Sequence, residues 1–154
     1  MECKTERISF QTENKVVSMA FKIAAIFLAA MFVLGTVGCT KQAIAHGYIL
    51  GFQFESCFVL FMFAAITMMA GYLADWDTDC DVMRKCSEAS AALAAMCIIG
   101  TASYYAICES PGSHSGDISS SIPYGILISG AILVMLFLLF RRFIRMKKEL
   151  EDFV

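Results

Sequence analysis

The hydrophobic positions of this chain form four long apolar stretches, separated by short polar segments. The stretches cover residues 16–38, 48–73, 89–108 and 122–140. A helix needs about 20 apolar residues to cross the hydrocarbon layer of a membrane, which is about 30 Å thick. Because the backbone must satisfy its hydrogen bonds internally there, the pattern predicts an all-α integral membrane protein, an antiparallel four-helix transmembrane bundle. The short connections leave no room for another domain, so residues 1–154 are expected to form one unit.

The composition agrees with this interpretation. The chain is 58% hydrophobic and 17% charged, which leaves too little polar surface for a water-soluble domain of this length. The first stretch is longer than the apolar part of a signal peptide, which spans about 7–15 residues. It is therefore predicted to remain in the protein as a membrane helix.

The positive charges predict the orientation, because Lys and Arg near helix ends resist translocation. The N-terminal segment carries Lys4, Arg7 and Lys15, and a basic tail, 141–154, follows the fourth stretch. Both termini are therefore expected to lie in the cytoplasm, with the connection between the second and third stretches beside them. The tail also predicts attraction to anionic lipid headgroups through Arg141, Arg142, Arg145, Lys147 and Lys148.

Two polar residues, Gln53 and Glu55, interrupt the second apolar stretch. A charged side chain deep in lipid costs roughly 2.5–3.5 kcal/mol on insertion scales, so such residues usually face the bundle, pair or become protonated. Tyr104 and Tyr105 in the third stretch lie at a matching depth. Three interpretations are open: a structural hydrogen-bonding hub, a site for a proton, an ion or a lipid headgroup, or a contact with another chain.

The cysteines divide by their expected side of the membrane. Cys39 and Cys108 end the first and third stretches on the outward side, where disulfides persist, so they are either a bridge or a pair of free or acylated thiols. Cys80 and Cys86 lie in the cytoplasmic connection and are candidates for palmitoylation. No metal is expected, because these cysteines lack the companion ligands of a zinc site.

Small residues mark candidate helix contacts. Gly47 and Gly51 form a GxxxG pattern, and the third stretch is rich in Ala, Ser and Gly, with Ala91 and Ala95 one turn apart. Such residues let helix backbones approach closely. The third helix is therefore expected to be the most enclosed, and the small residues to pack within the bundle or against a second chain.

The chain ends in Asp152, Phe153 and Val154, an acidic residue followed by a hydrophobic carboxylate. This ending is either a ligand for a PDZ domain, which binds a free C-terminus as an added strand, or a plain disordered terminus.

The sequence contains no nucleotide-binding glycine loop, no HExxH and no nucleophile motif. We therefore expect a non-enzymatic protein without a cofactor and without a nucleic-acid partner.

The short connections, the two cytoplasmic ends, the basic exit from the last helix and the polar start DVMRKCSEASAALAA of the third resemble the MAL-like and MARVEL-domain tetraspan proteins. The resemblance covers residues 16–145 and assigns no functional residue. It implies work in membrane organisation, cell junctions or trafficking, in the plasma membrane or the secretory pathway. The expected function is a lateral scaffold or auxiliary subunit that contacts lipids, itself or a larger membrane protein; the alternative is a small oligomeric channel or transporter that uses Glu55.

Overall fold

Four α-helices make up the computed structural model of the chain. It describes residues 2–46, 51–75, 77–108 and 122–152, with side chains over 12–45, 53–75, 77–107 and 122–150. The helices are α1 (Glu2–His46), α2 (Gly51–Ala74), α3 (Cys80–Cys108) and α4 (Tyr124–Asp152). Each contains a span long and apolar enough to cross a membrane, which confirms the predicted all-α class and its four membrane-length helices.

The helices extend beyond the apolar stretches that predicted them. α1 includes the polar N-terminal residues from Glu2, α3 begins nine residues earlier than expected, and the basic tail continues α4 to Asp152. Charged residues such as Lys, Arg and Glu are good helix formers, and no Gly or Pro interrupts these segments. Hydropathy located the spans, whereas the helix ends depend on backbone propensity.

The helix at the centre of the structure is α2. Within the part of the chain that the structure describes, α1 contacts α2 alone, whereas α2 also contacts α3 and α4. The buried core comes from α2, α3 and α4, through residues such as Met62, Met83 and Leu133. The prediction that the third helix is the most enclosed was therefore wrong. The arrangement is a three-helix core with α1 attached to its outer side.

The helices pack along seams with coiled-coil spacing. On α4 the fully or nearly fully buried positions are Ile126, Ser129, Leu133, Leu136 and Phe140, in alternating steps of three and four residues. This spacing keeps one stripe of an α-helix facing its neighbour, as in left-handed bundles.

A glycine brings α2 and α3 into close contact. A Cβ on Gly100 would lie 2.6 Å from the Phe58 ring, so an added side chain would have to displace that ring. This close approach depends on α3 having no side chain at that position.

Side-chain contacts identify which segments share an end of the structure. At one end, Lys15 of α1 pairs with Asp77 at 2.9 Å, and Lys147 of α4 donates to the carbonyl of Thr78 at 2.7 Å. At the other end, Gln53 of α2 donates a hydrogen bond to Gln42 of α1. The early part of α1, the 75–79 connection and the late part of α4 therefore lie together.

Candidate functional site

The Glu55 carboxylate contacts the beginning of α4. Its Oε1 accepts a hydrogen bond from the backbone N–H of Gly125 at 2.9 Å, and the Glu55 side chain is half-buried. The first amides of a helix have no partner within the helix and carry partial positive charge. A carboxylate at this position satisfies one of these amides and is favoured by the helix dipole.

α4 has no capping side chain of its own. Its first helical hydrogen bond runs from the N–H of Leu127 to the carbonyl of Pro123, which makes Pro123 the cap residue. Proline offers no side-chain acceptor, and the first turn contains no acidic residue. Glu55 on α2 therefore supplies from another helix what Ser, Thr, Asp or Asn usually supplies locally.

Close packing of α2 against α4 makes this contact feasible. A Cβ on Gly125 would lie 2.7 Å from the Val59 side chain and 3.0 Å from Glu55 Oε1. Any side chain at position 125 would push α4 away from α2 and lengthen the hydrogen bond. On the other side of Gly125, Ser129 donates a hydrogen bond to its carbonyl at 2.7 Å.

Gln53 and Glu55 belong to separate contacts. Residues two apart on a helix point in nearly opposite directions, at about 100° per residue. Gln53 accordingly faces Gln42 of α1, while Glu55 faces α4. The structure thus divides the polar pair of α2 between the two helices that flank it.

The two tyrosines of the predicted site differ in environment. Tyr104 is buried in the core of α2, α3 and α4, whereas Tyr105 is 44% exposed. Their rings pack edge to face with centroids 5.8 Å apart.

Cys39 faces a thiol that was not predicted to be its partner. Its Sγ lies 3.4 Å from the Sγ of Cys57 on α2, and both cysteines are half-buried free thiols. They border an apolar recess of about 340 Å³ between α1 and α2. The side chain of Cys108 lies outside the described residues, so the Cys39–Cys108 bridge stays a prediction. Cys57 is an alternative partner for Cys39.

The two cysteines predicted to be palmitoylated lie in the first two turns of α3. Cys80 begins the helix, and Cys86 packs against the core. Both are half-buried, and their acylation stays a prediction.

Of the small residues predicted to pack helices, the structure describes the surroundings of the two alanines but not those of the two glycines. Ala91 and Ala95 are exposed, because the buried seam of α3 passes through Ser87, Ser90 and Cys97 instead. Packing within the bundle was therefore wrong for these alanines, and a contact with a second chain stays a prediction. Gly51 begins α2. Gly47 lies outside the described residues, as do the surroundings of Gly51.

The basic residues after the fourth apolar stretch lie on two sides of α4. Lys147 contacts the carbonyl of Thr78. The others border a groove of about 980 Å³ between α3 and α4, and they are Arg141, Arg142, Arg145 and Lys148. α4 ends at Asp152; Phe153 and Val154 lie outside the described residues, so the PDZ ligand stays a prediction.

The aspartates of the 75–79 connection form ion pairs with lysine side chains of α1. Lys22 lies 3.7 Å from Asp75 and over the ring of Tyr72, and Lys15 pairs with Asp77. Thr78 donates from its hydroxyl to the carbonyl of Tyr72 at 3.1 Å. The described ion pairs therefore join the aspartates of this connection to α1.

Among the described residues, no group of three or more His, Cys, Asp or Glu side chains could hold a metal ion. Comparisons with protein-family models, with curated proteins and with solved structures found no match.

Proposed function

We propose that this protein is a non-enzymatic, multi-pass membrane protein that acts as a lateral scaffold or auxiliary subunit. It crosses the membrane four times with both termini in the cytoplasm and works in membrane organisation, cell junctions or trafficking. The MAL-like and MARVEL resemblance supports this class. The observation that carries the proposal is the position of α1, which packs against no helix other than α2 in the described structure.

The outward face of α1 is a long surface available to another membrane helix. Phe27 and Leu34 are 66% and 67% exposed, and a Cβ on Gly38 would meet nothing within 4 Å. Lipid tails cover apolar side chains as well as a protein does, so exposure alone does not drive association. Small residues such as Ala24 and Gly38 on this face add the close backbone approach that favours helix pairs.

The charges at the two ends support the proposed orientation. Lys15 and Lys22 of α1 lie at the same end as Arg84 of α3 and the basic half of α4. This end is the more positive one, so the positive-inside rule assigns it to the cytoplasm.

Transport through the chain has less support. The carboxylate of Glu55 is bonded to the backbone of α4, and Gln53 is paired with Gln42. Both contacts hold helices together, and a conduction path needs polar groups that remain available to the transported species. The structural-hub interpretation of Glu55 is the one that we adopt.

Site-specific photocrosslinking in intact membranes tests the scaffold proposal. We would place a photoreactive phenylalanine analogue at Phe27 or Leu34 on α1 and, as a matched control, at exposed Leu138 on α4. We expect discrete protein adducts from α1 and none from α4. An adduct of twice 16.9 kDa identifies a second copy, and a larger adduct identifies another membrane protein. Lipid adducts alone at all three positions would contradict the proposal.

Ion flux in liposomes distinguishes the alternative function. A scaffold predicts no flux above protein-free liposomes for the parent or for Glu55→Gln. Flux in the parent that disappears in Glu55→Gln would favour the channel or transporter instead.

A further inference from the structure

A basic groove lies between α3 and α4 at the end of the molecule that holds the 75–79 connection. Five cationic side chains border it: Arg84 from α3 and Arg141, Arg142, Arg145 and Lys148 from α4. Glu88 and Glu149 also border it, which leaves three net positive charges. Because two helices contribute the cations, the groove is a built concavity rather than one charged face of a single helix.

The groove changes character along α4. Phe137 and Leu138 form its wall where α4 is still apolar, and the cations begin directly after Phe140. Arg141 lies over the Phe137 ring, 5.5 Å from its centroid, at this boundary. In a membrane this boundary is the interface between acyl chains and headgroups. A ligand that fits the whole groove therefore combines an apolar part with an anionic part.

The arginines favour phosphate over other anionic groups. A guanidinium donates two parallel hydrogen bonds to a phosphate, and it remains charged at every physiological pH. The volume of about 980 Å³ suits a headgroup that carries several phosphates, because small-molecule sites span about 300–1,000 Å³. A single carboxylate-bearing headgroup would use only part of the available charge.

We propose that this groove binds a phospholipid whose headgroup carries more than one phosphate, such as a phosphatidylinositol bisphosphate. The acyl chains lie along Phe137 and Leu138, and the phosphates contact Arg84, Arg142 and Arg145. Lys147 takes no part, because its ammonium group is bound to the carbonyl of Thr78. The inference requires membrane insertion of the helices and does not depend on lateral association.

Binding to nanodiscs of defined composition tests the proposal. The full chain is reconstituted in phosphatidylcholine with either phosphatidylinositol bisphosphate or phosphatidylserine, matched in total headgroup charge. Lipid retained around the protein is then counted by native mass spectrometry. We expect the bisphosphate lipid to be enriched about fivefold or more over phosphatidylserine, since each further basic residue that one headgroup engages contributes about fivefold in affinity. Equal enrichment of the two lipids would overturn the proposal.

Neighbouring residues of α3 provide a matched pair of variants. Arg84→Gln removes a charge from the groove, whereas Lys85→Gln removes one from an exposed position outside it. We expect about a fivefold loss of bisphosphate binding in Arg84→Gln and no loss in Lys85→Gln. Equal losses would show general surface attraction and would contradict a specific groove.

A third variant gives a result that misfolding cannot imitate. Arg84 Nη2 lies 3.4 Å from Asp81 Oδ1, so Asp81→Asn releases the guanidinium and is expected to strengthen binding of the bisphosphate lipid. Weaker binding in Asp81→Asn would count against the proposal.

Soluble inositol trisphosphate distinguishes a lipid from a free phosphate compound. We expect it to compete weakly, because it lacks acyl chains to contact Phe137 and Leu138. Competition as strong as that of the intact lipid would overturn the assignment to a lipid.

Discussion

Glu55 on α2 caps α4 through a hydrogen bond from the N–H of Gly125, 2.9 Å from the carboxylate oxygen. The contact explains a charged residue in an apolar helix without a transport function. It joins the N-terminal ends of α2 and α4, which run parallel, at the point where α4 lacks a capping side chain of its own.

Removing the Glu55 carboxylate should destabilise the protein. We expect Glu55→Ala to lower the free energy of unfolding by about 1–2 kcal/mol, the usual effect of losing a helix cap. Glu55→Gln should lower it less, because the amide oxygen still accepts the hydrogen bond. Thermal unfolding in mild detergent measures the stability of both variants. Glu13→Ala, on the exposed part of α1, is the control. Equal stability of Glu55→Ala and Glu13→Ala would refute the capping role.

A side chain at position 100 should weaken the packing of α2 against α3. Gly100→Ala would place a Cβ 2.6 Å from the Phe58 ring, so we expect a destabilisation of about 1–3 kcal/mol from overpacking. Gly38→Ala meets open space and should instead be neutral or stabilising by up to about 1 kcal/mol. The double variant Gly100→Ala with Phe58→Leu should recover part of the loss. Chemical denaturation in detergent compares the four proteins, and similar stabilities of the two alanine variants would contradict the close contact.

Mild oxidation should join Cys39 to Cys57. Their sulfurs are 3.4 Å apart, so an added oxidant can take two electrons while both thiols lose their protons. Trypsin cleaves after Lys41 and separates the two cysteines onto different peptides. Mass spectrometry without reduction should therefore show these peptides linked, and Cys57→Ser should abolish the link. A link from Cys39 to the peptide 86–141 that disappears in Cys108→Ser would support the alternative bridge.

The two ion pairs of the 75–79 connection should differ in strength. The side chains of Lys15 and Asp77 are 60% and 45% exposed, whereas those of Lys22 and Asp75 are 33% and 23% exposed. We expect Asp75→Asn to destabilise the protein by up to about 1 kcal/mol, and Asp77→Asn to have no measurable effect. Because salt screens such pairs, the difference should shrink when the melting temperature is measured at high ionic strength. A larger effect for Asp77→Asn would reverse this assignment.

The sequence was sufficient to predict the four helices but not their arrangement. In a membrane, both the lipid-facing and the helix-facing sides of a helix are apolar, so hydropathy does not show which side packs. That ambiguity explains why exposed Ala91 and Ala95 looked like packing residues. It also explains why the peripheral position of α1 was not foreseen.

Part of the candidate site was predictable from helix geometry. Gln53 and Glu55 are two residues apart, so their opposite directions follow from the helical period. Cys57 lies about as far after the start of α2 as Cys39 lies before the end of α1, which would have identified it as a partner in an antiparallel helix pair. The contact between Glu55 and Gly125 could not be predicted, because it depends on α4 packing against α2 across 70 residues of sequence.

That sequence separation has a consequence for biosynthesis. The ribosome makes Glu55 70 residues before Gly125, so in the proposed membrane topology α2 would enter the lipid while its carboxylate still lacks its later partner. An uncompensated carboxylate in lipid is unfavourable by roughly 2.5–3.5 kcal/mol on insertion scales. In the proposed topology the pair of α1 and α2 is therefore an incomplete intermediate until α4 supplies the backbone amide that the carboxylate accepts from.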